Sequence, residues 1–423
     1  MAPILVREFT DYTSVDTALA VLRKNARVSA RREAVPLGRS IDRILCEDVV
    51  SRIDVPPRDS SHMDGFAVRS SDIAQASAAA PVRLRWVEGV PLGAVPRKPV
   101  RKGEAQAVLT GGFVPLGADA VVQAERVKLS HGRVEVSNPI DQGEHVYPRG
   151  RDVNRGEKVL EAGRSVRGTD QTLLASLHID KVAVFARPRV AIIPTGTELS
   201  ERIVGTEKGK VAESHSFLFS RLIEGAGGVP VVMPIAPDDS AELSRSIRAG
   251  LRVADMVLTI AGSSVSEKDL TENAINLAGK PGVLVHGLKV HRGRVMGFGA
   301  VEGKIVVILP GSIQGGVNAF ILMAYPVIRS SLGRGFETPS SIPAILGNDW
   351  DAIERYRDFT KIVYVKTNTE GASVIADTSV AETERMTLLT RSDGYLVVAE
   401  DVPSLRKGEP VRVHRLPGLS PVS

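Results

Sequence analysis

Between residues 182 and 330, strand-like and helix-like segments alternate, and this alternation constrains the fold more than any other feature of the chain. Apolar runs rich in β-branched residues, such as RVAIIPTG and ADMVLTIAG, lie between segments whose apolar residues recur at helical spacing. Helices are predicted at 213–226, 239–251, 267–278 and 315–330. Alternation of this length is typical of a doubly wound parallel sheet, so this segment is predicted to be an α/β domain.

The segments on either side predict further domains. A chain of 423 residues is longer than one hydrophobic core usually serves, so a multidomain α/β protein is expected. Short strand-like runs interrupted by Pro and Gly indicate two small β domains. Residues 12–26 have apolar side chains at helical spacing, which indicates a helix that begins after the plausible caps Thr13 and Ser14. The predicted division is a helical or linker domain (1–46 and 145–181), a β-rich domain (47–144), the α/β domain (182–330) and a β-barrel-like domain (331–423).

Charge and composition argue against several kinds of function. The net charge is +5, but the basic residues are spread along the chain, so no nucleic-acid partner is predicted. No apolar run approaches the roughly 18 to 20 residues that a membrane span needs, so no membrane association is predicted either. The single cysteine, Cys46, excludes an intrachain disulfide framework and fits a reducing, cytoplasmic setting.

Asp64 lies in a polar segment, PPRDSSHMDGFAVRSSD, whose centre is apolar. A hairpin turn explains the Asp-Gly pair, because glycine takes positive φ without strain and aspartate tolerates it. The apolar neighbours Met63 and Phe66 favour instead a loop that packs back on the protein and holds a polar group in place for use. The segment taken alone leaves both interpretations open.

The loops after the predicted α/β strands supply carboxylates and hydroxyls where such sheets bind ligands. They carry Thr195, Glu198, Asp238 and Asp269. Carboxylates at this edge can hold Mg²⁺, while N–H groups at helix N-termini bind phosphate. Helix capping explains Asp239 and Asp269 as well as ligand binding does, and an ordinary turn explains Thr195 with Gly196. The sequence lacks the G-x-x-x-x-G-K-[ST] and G-x-G-x-x-G nucleotide motifs.

The order of the motifs is more specific than any one loop. Between about residues 10 and 330 it reads PPRDSSHMDGFAV, LTGGFVPLGADAVVQAE, YPRGRDVNRGEKVLEAG, RPRVAIIPTGTEL, APDD, GSSVSEKD and LPG. This series resembles the molybdopterin molybdenumtransferase family, the MoeA and gephyrin E-domain type. The resemblance implies an elongated, four-domain subunit and a homodimer. In that homodimer the β domain of one subunit completes the active site on the molybdopterin-binding α/β domain of the other.

The resemblance also implies a reaction in molybdenum cofactor biosynthesis. Members insert molybdenum or tungsten, supplied as molybdate or tungstate, into adenylated molybdopterin with the help of Mg²⁺, and AMP is released. A molybdopterin adenylyltransferase is a candidate partner. Under this interpretation the chain is an enzyme, a molybdopterin molybdenumtransferase.

Residue roles follow from the same resemblance. The catalytic candidates are Asp64, Asp152, Glu198, Asp238 and Asp269, of which Asp238 and Asp269 are the expected Mg²⁺ ligands. Candidates for binding the pterin and the metal oxyanion are Thr110, Thr195, Gly196, Gly262, Ser263, Ser264, Ser266, His291, Arg292, Arg294, Pro310, Gly311 and Ser312. The basic segment at 291–294 is expected to bind molybdate or tungstate, with Arg294 as the main contact; a solvated basic hairpin is the alternative.

The chain departs from the family pattern around the expected pocket. The family motif SGGVSVGE-x-D is AGSSVSEKD in this chain, so Ser263 and Ser266 replace glycines. In a second motif, Thr197 stands where the family usually has an aspartate. The family motif LPGNPVS is LPGSIQG in this chain. The family motif K-P-G-K-P is HRGRV at 291–295, and the loss of both prolines predicts a flexible segment that becomes ordered when an anion binds. Two interpretations stay open: an enzyme with an altered anion site, or a divergent paralogue that binds molybdopterin or acts as a dimeric scaffold without catalysing metal insertion.

Overall fold

The computed structural model of the protein describes residues 12–26, 30–89, 91–204, 208–260, 267–382 and 387–419. The chain forms two compact units. The larger unit comprises Met1–Glu33, Asp42–Cys46 and Val184–Ser423, and the smaller unit comprises Ala34–Ile41 and Glu47–Ala183. The division into four domains stays a prediction.

The first helix belongs to the larger unit and begins where the sequence predicts. Helix α1 spans Val15–Asn25, and the Oγ of its N-cap residue Ser14 accepts a hydrogen bond from the Thr17 N–H at 3.3 Å. Its residues Ala18 and Leu22 are fully buried. The chain then continues through β1 (Arg32–Pro36), a 3₁₀ turn (Leu37–Arg39), β2 (Val49–Val50) and β3 (Ser60–Ser61).

A six-stranded sheet forms the core of the smaller unit. Its strands are β4 (Gly65–Val68), β5 (Val82–Val87), β6 (Glu104–Val108), β7 (Ala120–Gln123), β8 (Val127–Ser130) and β9 (Arg133–Val136), with the short helix α2 (Ser70–Ile73) after β4. The strand order is β7-β4-β6-β5-β9-β8, and only β5 and β6 pair in parallel. Phe66, Val68 and Leu84 are buried between the elements of this unit. The predicted β-rich segment is therefore a sheet with its own core.

The rest of the smaller unit is less helical than the sequence suggests. The stretch predicted as helical or linker contains β10 (Val146–Tyr147), β11 (Lys158–Leu160) and one helix, α3 (Gly168–Ser176). Strand β12 (Lys181–Phe185) begins at its last residue and continues into the larger unit. Strand β10 pairs with β3, and β11 pairs with β2. Before residue 168 the helical expectation is wrong, because these two-strand contacts and glycine-containing turns occupy the segment.

The α/β sheet of the larger unit confirms the predicted doubly wound fold. Its six strands are β13 (Arg189–Pro194), β16 (Val229–Val232), β17 (Met256–Ile260), β18 (Pro281–His286), β20 (Gly297–Val301) and β21 (Lys304–Leu309). The connecting loops contain one short strand pair, β14 (Leu199–Ser200) with β15 (Val211–Ala212), and the single short strand β19 (Val290–His291). The order is β16-β13-β17-β21-β20-β18. Strands β16, β13, β17 and β21 run in parallel, and β20, which the sequence did not predict, runs against both of its neighbours.

Helices cover both faces of this sheet. They are α4 (His215–Ala226), α5 (Ser240–Val253), α6 (Glu267–Ala278), α7 (Ile313–Ala319) and α8 (Tyr325–Ser331). Along β13, Val190 and Ile192 pack with α1, α4, α7 and α8, whereas Ala191 and Ile193 pack with α5 and α6. A strand buried on both faces has a continuous apolar sequence, which explains the apolar run RVAIIPTG.

Helices α7 and α8 are joined by a wider, π-helical turn at Phe320–Ala324. Pro326 lacks the N–H that would bond the carbonyl of Leu322 four residues earlier, and its ring would crowd that carbonyl in a regular helix. The extra width of this turn follows from the proline. Such π turns frequently occur beside functional sites.

The C-terminal part of the larger unit forms a closed barrel. Its elements are β22 (Ser341–Leu346), β23 (Trp350–Asp351), β24 (Thr360–Glu370), β25 (Ser373–Asp377), α9 (Thr387–Arg391), β26 (Gly394–Val398), β27 (Ser404–Leu405) and β28 (Pro410–Arg415). The order β24-β25-β22-β28-β26 closes because β26 also pairs with β24. The short strand β19 adds to β24, so a segment between two α/β strands pairs with the barrel.

The predicted α/β multidomain fold, with a doubly wound domain and a barrel-like C-terminal domain, is confirmed. In the part of the chain that the structure describes, no helix combines the length and the apolar character that crossing a membrane requires.

Candidate functional site

Three parallel strands bring the predicted ligand loops to one edge of the α/β sheet. Strands β13, β17 and β21 are hydrogen-bonded neighbours, so the loops after their carboxyl ends lie side by side. The loop after β17 carries Gly262, Ser263, Ser264 and Ser266, all outside the described residues, and the side chain of Asp269 is outside them too.

Asp238 is held by a single threonine. The N–H and the Oγ1–H of Thr197 both donate to Asp238 Oδ2, at 2.9 and 2.8 Å. Thr197 therefore occupies one oxygen of the carboxylate. Both residues are exposed, and the second oxygen of Asp238 has no hydrogen-bond partner among the described residues.

Thr195, Gly196 and Glu198 lie in the same loop, and each has a different structural role there. The buried hydroxyl of Thr195 donates to the carbonyl of Ile260 at 2.7 Å, and so ties β13 to β17. Gly196 has a φ of +150°, and a Cβ there would lie 2.6 Å from both carboxylate oxygens of Glu198. Glycine therefore allows the exposed carboxylate of Glu198 to fold over the loop.

Asp239, next to Asp238, caps a helix. Its Oδ1 accepts the N–H groups of Ala241 and Glu242, both at 2.9 Å, at the start of α5. The capping interpretation of Asp239 is confirmed. Two neighbouring aspartates thus have different surroundings, one bonded to a threonine and one to a helix N-terminus.

The number of carboxylates at this edge of the sheet decides how Mg²⁺ could bind there. No group of three or more His, Cys, Asp or Glu side chains that could hold a metal occurs among the described residues. Mg²⁺ is usually bound through one or two carboxylates together with substrate phosphates and water. Asp238, with one oxygen to spare, fits a cation that arrives with a phosphate ligand, and does not fit a metal held by protein alone.

In the smaller unit, Asp64 and Thr110 form a pair of the same design. Asp64 Oδ1 accepts the Thr110 N–H at 2.7 Å and the Thr110 Oγ1–H at 2.9 Å. The backbone hydrogen bond, followed by the hydroxyl bond, lowers the pKa of Asp64 below its ordinary value. The carboxylate is therefore charged near neutral pH, and it is exposed at the surface of its unit.

The loop that carries Asp64 packs on its own unit. Ser61 in β3 pairs with Val146 in β10, and the His62 N–H donates to the His145 carbonyl at 2.9 Å. A hairpin-turn explanation alone is insufficient, because the loop is tied to a segment some 80 residues away. Asp152 lies on that second segment, yet its exposed carboxylate forms no hydrogen bond or ion pair with the described part of the chain.

A cavity of about 320 Å³ lies beside the loop after β21 in the larger unit. It is lined by His291, Arg292, Gly293, Arg294, Val295, Pro310, Ser312, Ile313, Gln314, Ile353, Arg355 and Tyr356. Five predicted binding residues thus line one cavity: His291, Arg292, Arg294, Pro310 and Ser312. Gly311 lies between the last two in the loop. We call residues 291–295 the arginine loop and the cavity the arginine pocket.

All the charged residues in the described lining of the arginine pocket are cationic. Arg292, Arg294 and Arg355 contribute guanidinium groups, and no lining residue is acidic. Arg294 lies 5.2 Å from the ring centroid of Tyr356, and Arg355 lies 4.7 Å from it, both within cation–π range. The ring of His291 stacks on the same tyrosine at 4.5 Å. Such a pocket attracts anions, and guanidinium forks match tetrahedral oxyanions.

Arg355, Tyr356 and Gln314 were not predicted as site residues. Arg355 and Tyr356 come from the C-terminal segment, about 60 residues after the arginine loop. Aromatic residues make up only 4% of the chain, so the run DWDAIERYRDF, with aromatics beside arginines, was the available signal. Gln314 is 7% exposed, and its Oε1 has no hydrogen-bond partner in the described structure, which leaves an acceptor available at the pocket.

Comparisons with known proteins agree with this geometry. Residues 13–177 match the family model described as "MoeA N-terminal region (domain I and II)", and residues 191–330 match the one described as "Probable molybdopterin binding domain". A molybdopterin molybdenumtransferase of Nostoc is 29% identical over 79% of this chain and 78% of its own length. Another, from Haemophilus influenzae, is 26% identical over 95% and 98%.

A solved structure is similar over nearly the whole chain. The molybdopterin biosynthesis MoeA protein from Pyrococcus horikosii is 31% identical, covers 96% of this chain and 99% of its own, and superposes with a TM-score of 0.85. Both the sequence and the fold are therefore shared with this relative.

Proposed function

This chain belongs to the MoeA family of molybdopterin biosynthesis proteins, and we propose that it works as a molybdopterin molybdenumtransferase in molybdenum cofactor biosynthesis. The reaction we propose is insertion of molybdate or tungstate into adenylated molybdopterin, with Mg²⁺ present and AMP released. The arginine pocket is the observation that carries the proposal, because it offers a cationic cavity at the ligand-binding edge of the α/β sheet.

The arginine pocket suits a small tetrahedral dianion. Arg294 and Arg355 are not ion-paired with any described carboxylate, so both guanidinium groups can serve a ligand. Arginine donates two parallel N–H bonds to an oxyanion, which a lysine cannot do. We assign the metal oxyanion to Arg294 and Arg355, with Arg292 and His291 beside them.

The acidic loops suit the other end of the substrate, where a phosphoanhydride is broken. Phosphoryl chemistry needs positioned charge more than covalent help from the protein. Asp238 and Asp269 would hold Mg²⁺ when it binds with the substrate phosphates, and the cation would neutralise charge on the anhydride. Glu198, exposed over Gly196, is suited to orient water or the ligand beside them.

We further propose a homodimer in which Asp64 of one subunit completes the site of the other. Asp64 is charged, exposed and held rigidly by Thr110, which suits a group used by a second molecule. In the larger unit, exposed apolar side chains occur at Ile203, Val204, Val211 and Phe217, as a protein contact requires.

A mixed dimer tests the shared site. In a co-purified dimer, one subunit carries Asp64→Asn and the other carries Arg294→Ala, so one of the two shared sites keeps both original residues. Neither mutant homodimer has an unaltered site. We expect the mixed dimer to recover activity that neither homodimer shows. An inactive mixed dimer, or a monomer by light scattering at micromolar concentration, would remove Asp64 from the partner's site.

AMP release tests the activity itself. Adenylated molybdopterin is incubated with the full chain, Mg²⁺ and molybdate or tungstate, and AMP is measured by chromatography. We expect release that depends on the oxyanion and on Mg²⁺. Binding of the pterin without AMP release under any of these conditions would favour the alternative, a paralogue that binds molybdopterin without catalysing metal insertion.

A further inference from the structure

A buried chain of hydrogen bonds ends at the backbone of the arginine loop. The Tyr364 hydroxyl donates to Asn318 Oδ1 at 2.8 Å, and Asn318 Nδ2 donates to the carbonyl of Arg292 at 2.7 Å. Tyr364 and Asn318 are fully buried. We propose that Asn318 and Tyr364 are positioning residues that hold the arginine loop in its anion-binding conformation, an inference that rests on the proposed function of the pocket.

The arginine loop needs such a restraint because its backbone is unusual. Arg292 has a φ of +57° and Gly293 a φ of +145°, so two successive residues lie in the region that favours glycine. For Arg292, a residue with a Cβ, this conformation is strained. The loop contains no proline that would limit its alternatives. A hydrogen bond to the carbonyl of Arg292 therefore acts at the residue most in need of it.

The phenol of Tyr364 decides which way the carboxamide of Asn318 faces. With Oδ1 accepting from the hydroxyl, Nδ2 must face the carbonyl of Arg292 and donate to it. Without the hydroxyl, rotating the carboxamide by half a turn would place Oδ1 against that carbonyl, which repels it. Tyr364 thus selects the donating orientation, although it does not touch the loop itself.

The strand that carries Tyr364 also holds the loop through its backbone. Strand β24 begins with Thr360 and Lys361, which pair with Val290, just before the arginine loop, and with His291, its first residue. Burial raises the pKa of the Tyr364 phenol well above its ordinary value, so it remains a donor across the working pH range. Two independent links from one barrel strand therefore converge on the loop.

The test compares two buried tyrosines of one barrel. Tyr364→Phe removes the hydroxyl that orients Asn318, and Tyr395→Phe removes the hydroxyl of a neighbour whose ring centroid is 6.3 Å away. Tyr395 is also buried, but its hydroxyl forms no hydrogen bond with a described residue, so it controls for general loss of packing. Hydrogen exchange by mass spectrometry and calorimetric titration of tungstate are measured on the full chain and both variants.

Removal of the Tyr364 hydroxyl should speed amide exchange at residues 290–296 and weaken tungstate binding, each by about tenfold, as loss of one buried hydrogen bond implies. Exchange elsewhere in the barrel should match the parent, and Tyr395→Phe should stay within about twofold in both measurements. Equal behaviour of the two variants would overturn the inference.

Failure of the anion site itself would look different. If the parent protein does not bind tungstate, the proposed function of the pocket is wrong, while the exchange comparison still decides the role of Tyr364. If Tyr364→Phe does not fold, Asn318→Leu tests the same chain, because leucine has a similar volume and cannot donate to the carbonyl of Arg292. Unchanged exchange at 290–296 in that variant would contradict the inference.

Discussion

Asp64 and Asp238 are each held by one threonine, whereas the arginines of the pocket depend on residues from several parts of the larger unit. Each aspartate accepts both the N–H and the Oγ1–H of its threonine, from a partner 46 or 41 residues away. The arginine pocket combines the arginine loop, the loop after β21 and the segment around Arg355, and Asn318 and Tyr364 brace it from behind. Substitutions at the aspartates should therefore act locally, and the pocket should respond to distant changes.

Loss of a pocket arginine should have the largest effect. Arg294→Ala and Arg355→Ala should each weaken tungstate binding by about 10- to 100-fold, since each removes charge-assisted hydrogen bonds to the oxyanion. Calorimetric titration at two salt concentrations measures this, and the loss should shrink as salt rises.

The same short segment offers a matched control. Arg357 lies two residues after Arg355 but pairs with Glu354 and does not line the pocket. Arg357→Ala should leave tungstate affinity within about twofold, as is usual for an exposed pair. A similar loss in all three variants would show that net charge, and not the pocket, governs binding.

Neutralising Asp238 should have the next largest effect. Asp238→Asn can still accept the hydrogen bonds of Thr197, so it removes charge while keeping the local structure. Turnover, followed as AMP release over a range of Mg²⁺ concentrations, should fall by about tenfold or more through a higher Mg²⁺ requirement.

Asp239→Asn is the neighbouring control, because asparagine caps a helix as well as aspartate does. It should leave turnover and the Mg²⁺ requirement unchanged. If both variants behave alike, Asp238 has no special relation to the metal.

Removing the helix cap should have a moderate effect confined to stability. Asp239→Ala should lower the free energy of unfolding by about 1 kcal/mol, because two N–H groups at the start of α5 lose their acceptor. Denaturant unfolding measures the loss. Lower turnover at unchanged stability would instead place Asp239 in the site.

Thr110→Val should have the smallest effect, on a single pKa. The pKa of Asp64 should rise toward its ordinary value without reaching it, because the larger contribution, the Thr110 N–H, remains. Because the pKa of Asp64 is lowered in the folded protein, its pair with Thr110 stabilises the fold at pH values above the ordinary carboxyl pKa. This contribution is lost as the pH falls through the lowered pKa. Carboxyl NMR titration measures it; an unchanged pKa would mean that the hydroxyl bond is absent in solution.

Much of the fold was predictable because its signals are local in sequence. The apolar run of β13 and the cap at Ser14 each report on neighbours within a few residues. Strand β20 was missed because its residues, GFGAV, carry two glycines and little strand signal. The helical expectation before residue 168 failed because pairing of β10 with β3 depends on a segment far away in the chain.

The candidate site divides in the same way. Motif order points to Asp64, Thr110 and the arginine loop, and the structure places the first two in contact and lines a cavity with the third. The run DWDAIERYRDF marks Arg355 and Tyr356 as unusual, but only the folded barrel places them at that cavity and brings Tyr364, through Asn318, to the arginine loop. Nothing in the sequence near the arginine loop encodes them.

A crystal of the full chain soaked in tungstate shows whether the arginine pocket is the oxyanion site, because the anomalous scattering of tungsten locates the bound oxyanion. We expect one strong peak within hydrogen-bond reach of the Arg294 and Arg355 guanidinium groups, beside Tyr356, and we expect it to disappear in Arg294→Ala crystals. A peak at the N-terminus of α5 or elsewhere, with the arginine pocket empty at saturating tungstate, would contradict it.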